Sequence, residues 1–173
     1  MSSTVATTMP KSSQTPSDLL EQLRSEYPRI TFLSGVRFAW DPKNAMVRYH
    51  FGQSGDMQEC WTLLHETAHA LLQHESFTSD IELLQMEVAA WHHARVLAGR
   101  FKITIDPDYI EDCLDSYRDW LHARATCPTC FERSLQTDTH TYTCHNCSAK
   151  WHVTKSRLCR TYRRKNQKNS RAT

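Results

Sequence analysis

Leu64-His65-Glu66-Thr67-Ala68-His69-Ala70-Leu71 carries an HExxH pentad inside a stretch that reads as helix. Histidines four residues apart lie on one helical face, so both imidazoles can reach one Zn²⁺ at about 2.0–2.1 Å. Glu66 follows His65 directly and can act on a water activated by such an ion without itself being a ligand. These residue types at this spacing point to zinc-assisted hydrolysis, with Glu66 as general base. Upstream, Asp56-Met57-Gln58-Glu59 has the form of a capping box, here D-x-x-E. Cys60, Trp61, Leu63, Leu64, Ala68, Leu71 and Leu72 then give the apolar pattern of a buried helix. His74, about 180° around the helix from His65, is a poor candidate for steadying an oxyanion there.

A third ligand is expected on the next helix, which Ser79 and Glu82 open with a second capping box and which runs to about Gly99. Its candidates are Glu82, Glu87, His92 and His93. Glu82 and His92 each lie about 140° around that helix from Glu87, and His93 about 120°, so one face alone can meet the metal. Glu87 is surrounded at helical spacing by Leu83, Leu84, Ala90, Trp91 and Ala94. A carboxylate on that apolar face is costly unless paired or metal-bound, which favours Glu87 over the more peripheral Glu82.

The HETAHALL segment, followed by Met86-Glu87-Val88-Ala89-Ala90-Trp91, resembles the ImmA/IrrE-like metallopeptidases. In that family the third ligand is a glutamate opening a similar E-x-x-x-aromatic segment. The resemblance covers roughly residues 20–100. It implies a cytoplasmic gluzincin-type peptidase with zinc at His65, His69 and Glu87 and Glu66 as base. Several members cleave a transcriptional repressor, which makes an intracellular protein, such as a transcriptional regulator, the expected substrate. Two departures stand beside it: no helix-turn-helix pattern flanks the segment, and the C-terminal part is a cysteine module. An HExxH domain followed by a zinc ribbon is also similar to SprT-like proteases, which act on proteins attached to DNA. Their third ligand is a histidine in an H-G-x-x-F type segment, and His92-His93 here lacks the glycine and the aromatic.

Cys127-Pro128-Thr129-Cys130 and Cys144-His145-Asn146-Cys147 form a C-x₂-C repeat separated by thirteen residues, the pattern of a zinc ribbon. Each knuckle turns two thiolates toward one ion, and Phe131 to Thr143 can supply the hairpin that joins the pairs. A closed Cys₄ site has no vacant position, so this second zinc would be structural. Its loss should unfold a module too small to bury a sufficient core unaided. Disulfides or redox pairs are the competing reading, disfavoured where no secretory signal or thioredoxin-like context is read. Cys60, Cys113 and Cys159 remain and read as inert thiols.

The net charge of +2 over 173 residues conceals an asymmetry. Residues 1–138 hold 12 basic and all 19 acidic residues, whereas 139–173 hold 9 basic and none acidic. Arg157, Arg160, Arg163, Arg164 and Lys165 concentrate this charge in a basic tail, a candidate contact for DNA or RNA phosphates. The alternative is a solvated tail that keeps the protein soluble or touches its own acidic domain. No apolar run reaches membrane-spanning length, so no membrane partner is expected. Residues 1–16, rich in Ser, Thr, Pro and Gln, read as a disordered leader and not a signal peptide. The cytoplasm is the expected compartment, where reduced thiols suit metal ligation.

A first helix is expected over Asp18–Tyr27, then extended runs at 29–33, 36–40 and 45–51, the last two pairing as a hairpin across Asp41-Pro42-Lys43-Asn44. The hairpin edge could hold an extended peptide by strand addition or be ordinary core. Asp106-Pro107 opens a last helix to about Arg124, with a stripe from Ile110 to Leu121. Tyr49, His50 and His92 are the candidates for steadying an oxyanion. The expected architecture is α+β: a zincin-like metallopeptidase domain over 17–125 with a small antiparallel sheet and three to four helices, a Cys₄ zinc ribbon over 126–154, and a basic tail over 155–173. The expected function is a zinc endopeptidase holding two zinc ions. The second hypothesis is a non-catalytic, zinc-stabilised adaptor that binds nucleic acid or protein through ribbon and tail.

Overall fold

The computed structural model describes residues 14–52, 56–154 and the backbone of 164–165. Its elements are α+β, four helices and two small sheets, in two compact units. Among the described residues the first unit comprises those up to His74 with Ala90–Ile105, and the second comprises Glu75–Ala89 with those from Asp106 onward. One helix, α3 (Asp80–Arg100), runs through both. Among the described residues no helix is long and apolar enough to cross a membrane.

In the first unit, α1 (Pro16–Glu26) starts two residues earlier than the apolar pattern suggests. Thr15 is its N-cap: the hydroxyl accepts from the Asp18 N–H, the Asp18 carboxylate accepts from the Thr15 N–H, and Pro16 takes the first helical position. Leu19, Leu20 and Leu23 form its buried face. Three strands follow: β1 (Thr31–Ser34), β2 (Ala39–Asp41) and β3 (Met46–Tyr49). The expected hairpin is present, β2 pairing antiparallel with β3 as Trp40 opposite Val47. The sheet is not antiparallel throughout, however: β3 is central and β1 pairs with it in parallel, Thr31 opposite Met46 to Ser34 opposite Tyr49. After Ser34 the chain crosses the end of β3, where the Gly35 N–H bonds the Tyr49 carbonyl, and returns on the far side as β2. Alternating polarity fixes which face is buried and leaves the choice of edge open.

Helix α2 (Met57–Leu71) packs on α1, β2 and β3. Asp56 caps it by accepting from the Gln58 N–H at 3.3 Å. The expected capping box does not close, because Glu59 accepts instead from the Gly52 N–H at 2.6 Å. The C-terminal half of α3 adds Trp91, Ala94, Leu97 and Ala98 to the buried residues of this unit, and Phe101, Ile103 and Ile105 follow from the connector. Lys102, at φ 57°, turns the chain so that the Ile103 N–H reaches back to the Ala98 carbonyl.

In the second unit, the Ser79 hydroxyl accepts from the Glu82 N–H, while the Glu82 carboxylate binds the N–H and hydroxyl of Thr78. Helix α4 (Pro107–Ala125) is capped by Asp106 with Pro107 in its first turn. A second sheet orders β4 (Leu135–Asp138), β5 (Thr141–Thr143), β6 (Lys150–His152) and β7 (Arg164–Lys165), each antiparallel to its neighbour. Cross-strand partners Tyr142 and Trp151 stack at 5.5 Å over the cysteines. A buried ion pair also lies in this unit. Arg124 donates through Nε to Asp80 Oδ2 at 2.8 Å and through Nη2 to Oδ1 at 3.1 Å. It also bonds the Thr154 carbonyl and sits 4.2 Å over the Trp120 ring. Tyr142 donates its hydroxyl to the same Asp80, and Trp151 Nε1–H donates to the Arg124 carbonyl.

Candidate metal centres

Because His65 and His69 lie one turn apart on α2, their Nε2 atoms come to 3.1 Å of each other, and both rings are buried. Trp91 stacks on the His65 ring at 4.1 Å and 25°. Glu87, one turn earlier on the continuous α3, is buried at 5 % exposure, and one ligand atom from each of His65, His69 and Glu87 lies within 4.8 Å of the others. Two ligands of a tetrahedral zinc at about 2.0–2.1 Å would stand about 3.4 Å apart, so the histidine spacing suits one ion between them. Two imidazoles and a carboxylate are a donor set that suits zinc.

The other candidates on α3 go elsewhere. Glu82 is a capping side chain, held below the usual carboxylate range by the Thr78 N–H and hydroxyl. His92 is exposed and His93 half-buried, and neither joins a group of metal-binding donors among the described residues. Of the oxyanion candidates, Tyr49 receives a bond from Arg24 and His50 Nδ1 pairs with the Gly35 carbonyl.

Glu66 is half-buried beside this pair, and its Oε2 accepts the backbone N–H of Trp40 at 2.7 Å. That N–H lies on the outer edge of β2, so the edge of the hairpin turns an amide onto the candidate base. The indole of the same Trp40 donates from Nε1 to the His74 carbonyl at 2.7 Å.

His74 itself corrects the sequence reading. Helix α2 stops at Leu71, and Gln73 adopts φ 54°. The His74 N–H then bonds the His69 carbonyl at 3.0 Å and the Gln73 N–H bonds the Ala70 carbonyl at 3.1 Å, the two bonds of a Schellman motif. This reversal carries the side chain back as well: His74 Nδ1 lies 2.8 Å from His69 Nδ1. The angle of 180° holds only for a helix that continues, and this one does not.

The four ribbon cysteines also converge. Their sulfurs lie within 4.8 Å of one another, with Cys127 to Cys147 at 3.6 Å and Cys130 to Cys144 at 3.5 Å. Disulfide sulfurs would stand about 2.05 Å apart; sulfurs on one tetrahedral zinc at about 2.3 Å would stand about 3.8 Å apart, close to these spacings. The two knuckles are built alike. Phe131 and Ser148, each following the second cysteine, take φ 66° and 59°, and their N–H groups bond the carbonyls of Cys127 and Cys144. The N–H groups of Cys127 and Cys144 bond the carbonyls of Glu132 and Ala149. The Ser134 hydroxyl and the Cys147 backbone N–H bring the Cys144 thiol down to about 6. Cys147 is pushed up to about 12: the Ala149 N–H lowers it, and burial with three adjacent sulfurs outweighs that. Four sulfurs converging on one point are a soft donor set that fits a divalent metal such as zinc.

The described residues therefore include two groups of donors compatible with zinc, one Cys₄ and one His₂Glu. Of the basic residues that are candidates for a nucleic-acid contact, Arg157, Arg160 and Arg163 lie outside the described residues, as does Cys159. Arg164 and Lys165 form β7, their backbone paired with His152 and Trp151. No family model, curated protein or solved structure matches this chain.

Proposed function

We propose that the protein is a zinc-dependent endopeptidase of the gluzincin type, with the resemblance to ImmA/IrrE-like peptidases as its nearest frame. The observation that carries this reading is the convergence of His65, His69 and Glu87 beside a carboxylate, Glu66, that is held in place and is not one of the three donors. Zinc bound to those donors would supply Lewis acidity, polarising a carbonyl and lowering the pKa of a water toward about 7.

The chain's own residues do the rest. The Trp40 N–H holds Glu66 through Oε2, and Oε1 is the oxygen that would act on the reacting water. Glu66 takes a proton from that water as oxygen adds to the peptide carbonyl carbon, and delivers it to the nitrogen as the C–N bond breaks. The products are a carboxylate and a free amine. The buried Trp91 ring covers one face of His65 and limits solvent there. The Cys₄ group is the structural centre of the same proposal, its four thiols suited to a reducing compartment such as the cytoplasm.

The substrate class is an intracellular protein. A non-catalytic adaptor reading would use the sheet that ends in Arg164 and Lys165 as a contact for nucleic acid or protein. Metal analysis with active-site variants separates the two. The full chain should hold two zinc ions; His65→Ala should hold one, and Glu66→Gln should keep both while hydrolysis stops. One ion in the wild type, retained in His65→Ala, would remove the catalytic centre.

A further inference from the structure

The Schellman turn at the end of α2 does more than stop the helix. It sets the side chain of the C″ residue, His74, against the C3 residue, His69, ring nitrogen to ring nitrogen at 2.8 Å. A contact between C3 and C″ is the usual companion of this motif and is normally apolar. Here it joins two imidazoles, and the one in the helix offers its other nitrogen, Nε2, to His65.

A neutral imidazole has one N–H and one lone pair. For the 2.8 Å contact to be a hydrogen bond, one Nδ1 must donate and the other accept. If His69 Nδ1 accepted, its proton would sit on Nε2, facing His65, and no lone pair would be left for a metal. With His69 Nδ1–H donating to His74 Nδ1, the Nε2 lone pair of His69 points at the position shared with His65 and Glu87. His74 is in turn anchored from two sides: its N–H by the His69 carbonyl, its carbonyl by the Trp40 indole. Trp40 also holds Glu66, so one strand residue ties the acceptor behind the ligand to the candidate base.

We propose that His74 is a positioning residue of the His65/His69/Glu87 centre, accepting from His69 Nδ1–H and so holding His69 in the tautomer whose Nε2 can bind metal. The role rests on the proposed zinc site, and it is separable from peptidase activity. Partners behind a metal-binding histidine typically contribute 10–100-fold in metal affinity.

The test uses the full chain with zinc as probe and two readouts, neither of them activity. Competition with a chromophoric chelator gives the affinity of each site. Long-range ¹H–¹⁵N correlation of the imidazoles at pH 8, before zinc is added, reports which His69 nitrogen carries the proton. His74→Ala should lower affinity at the histidine site by 10–100-fold, leave the Cys₄ site unchanged, and shift His69 toward the Nε2–H form. His74→Asn places an acceptor oxygen near the Nδ1 position and should restore most of both; its failure to do so in a folded protein would overturn the proposal. So would unchanged affinity or an unchanged His69 tautomer in His74→Ala, and the endopeptidase reading would survive that result. A wild-type chain that binds one zinc only, at the cysteines, would overturn both.

Discussion

The backbone N–H of Trp40 lies 2.7 Å from Glu66 Oε2, so an edge strand holds the carboxylate on which the proposed chemistry depends. Glu66→Gln keeps an acceptor for that N–H and the same side-chain shape. Urea denaturation should therefore place the variant within about 1 kcal/mol of wild type, while loss of the base should cost about 10²–10⁴-fold in rate. A variant that unfolds, or that turns over at the wild-type rate, would contradict this assignment.

Trp40→Phe separates the two jobs of that residue. The backbone bond to Glu66 remains and the indole bond to the His74 carbonyl is lost. The expected cost is about 1 kcal/mol of stability from the lost hydrogen bond, read by urea denaturation.

Arg124 is 1 % exposed and Asp80 4 %, and their ion pair is completed by Tyr142, Trp120 and the Thr154 carbonyl. Removing one partner leaves an uncompensated buried charge, so Asp80→Ala should destabilise by about 3–5 kcal/mol in chemical denaturation. Tyr142→Phe should cost less, about 1.5–3 kcal/mol, the range for a hydrogen bond to a charged group. In the intact protein burial, then the Asp80 carboxylate, holds the Tyr142 hydroxyl well above its ordinary value, so it stays a donor throughout the physiological range. An Asp80→Ala variant as stable as wild type would contradict the closed network.

Chelation of the Cys₄ metal should open the small sheet around it. Trp151 is fully buried there. Stripping zinc with a strong chelator should shift tryptophan emission to the red and restore it on adding zinc. Emission that stays unchanged while the metal is removed would show that the sheet holds without it.

Acid should weaken the described caps and turns in a definite direction. Hydrogen bonds lower the carboxyls of Asp18, Glu82 and Asp138, chiefly from Thr15, Thr78 and His140 respectively. A depressed folded value means the stabilisation is complete above the ordinary carboxyl range and is lost as pH falls through the folded values. Urea midpoints should hold between pH 7 and about 5 and decline below about 4. A midpoint that rises on acidification would contradict the sign.

What could be read in the sequence follows the range of the interactions involved. The HExxH helix, the β2–β3 hairpin and the paired knuckles are local, and spacing at one turn or a C-x₂-C step is enough to reveal them. Glu87 needed helical angles together with the cost of a lone carboxylate on an apolar face, and it is the α3 donor that joins His65 and His69 among the described residues. The parallel placement of β1 was hidden, since alternation does not say which edge of β3 a strand takes. His74 was hidden because the left-handed residue that reverses the chain is Gln73, where a glycine would have announced the turn. Asp80, Arg124 and Tyr142 are separated by 44 and 62 positions in the pairs they form, and no periodicity links such residues. Glu59 had the spacing of a capping box and found a nearer donor in Gly52.

The central claim is that Glu66 drives peptide-bond hydrolysis at the His65/His69/Glu87 centre. The most direct measurement is mass-spectrometric mapping of new protein N-termini after a cell extract is incubated with the wild-type chain, with Glu66→Gln, or with a chelator added. The account predicts discrete new N-termini with the wild type alone, absent with Glu66→Gln and with the chelator. The same N-termini appearing with Glu66→Gln, or none appearing with a wild-type chain that carries both zinc ions, would contradict it.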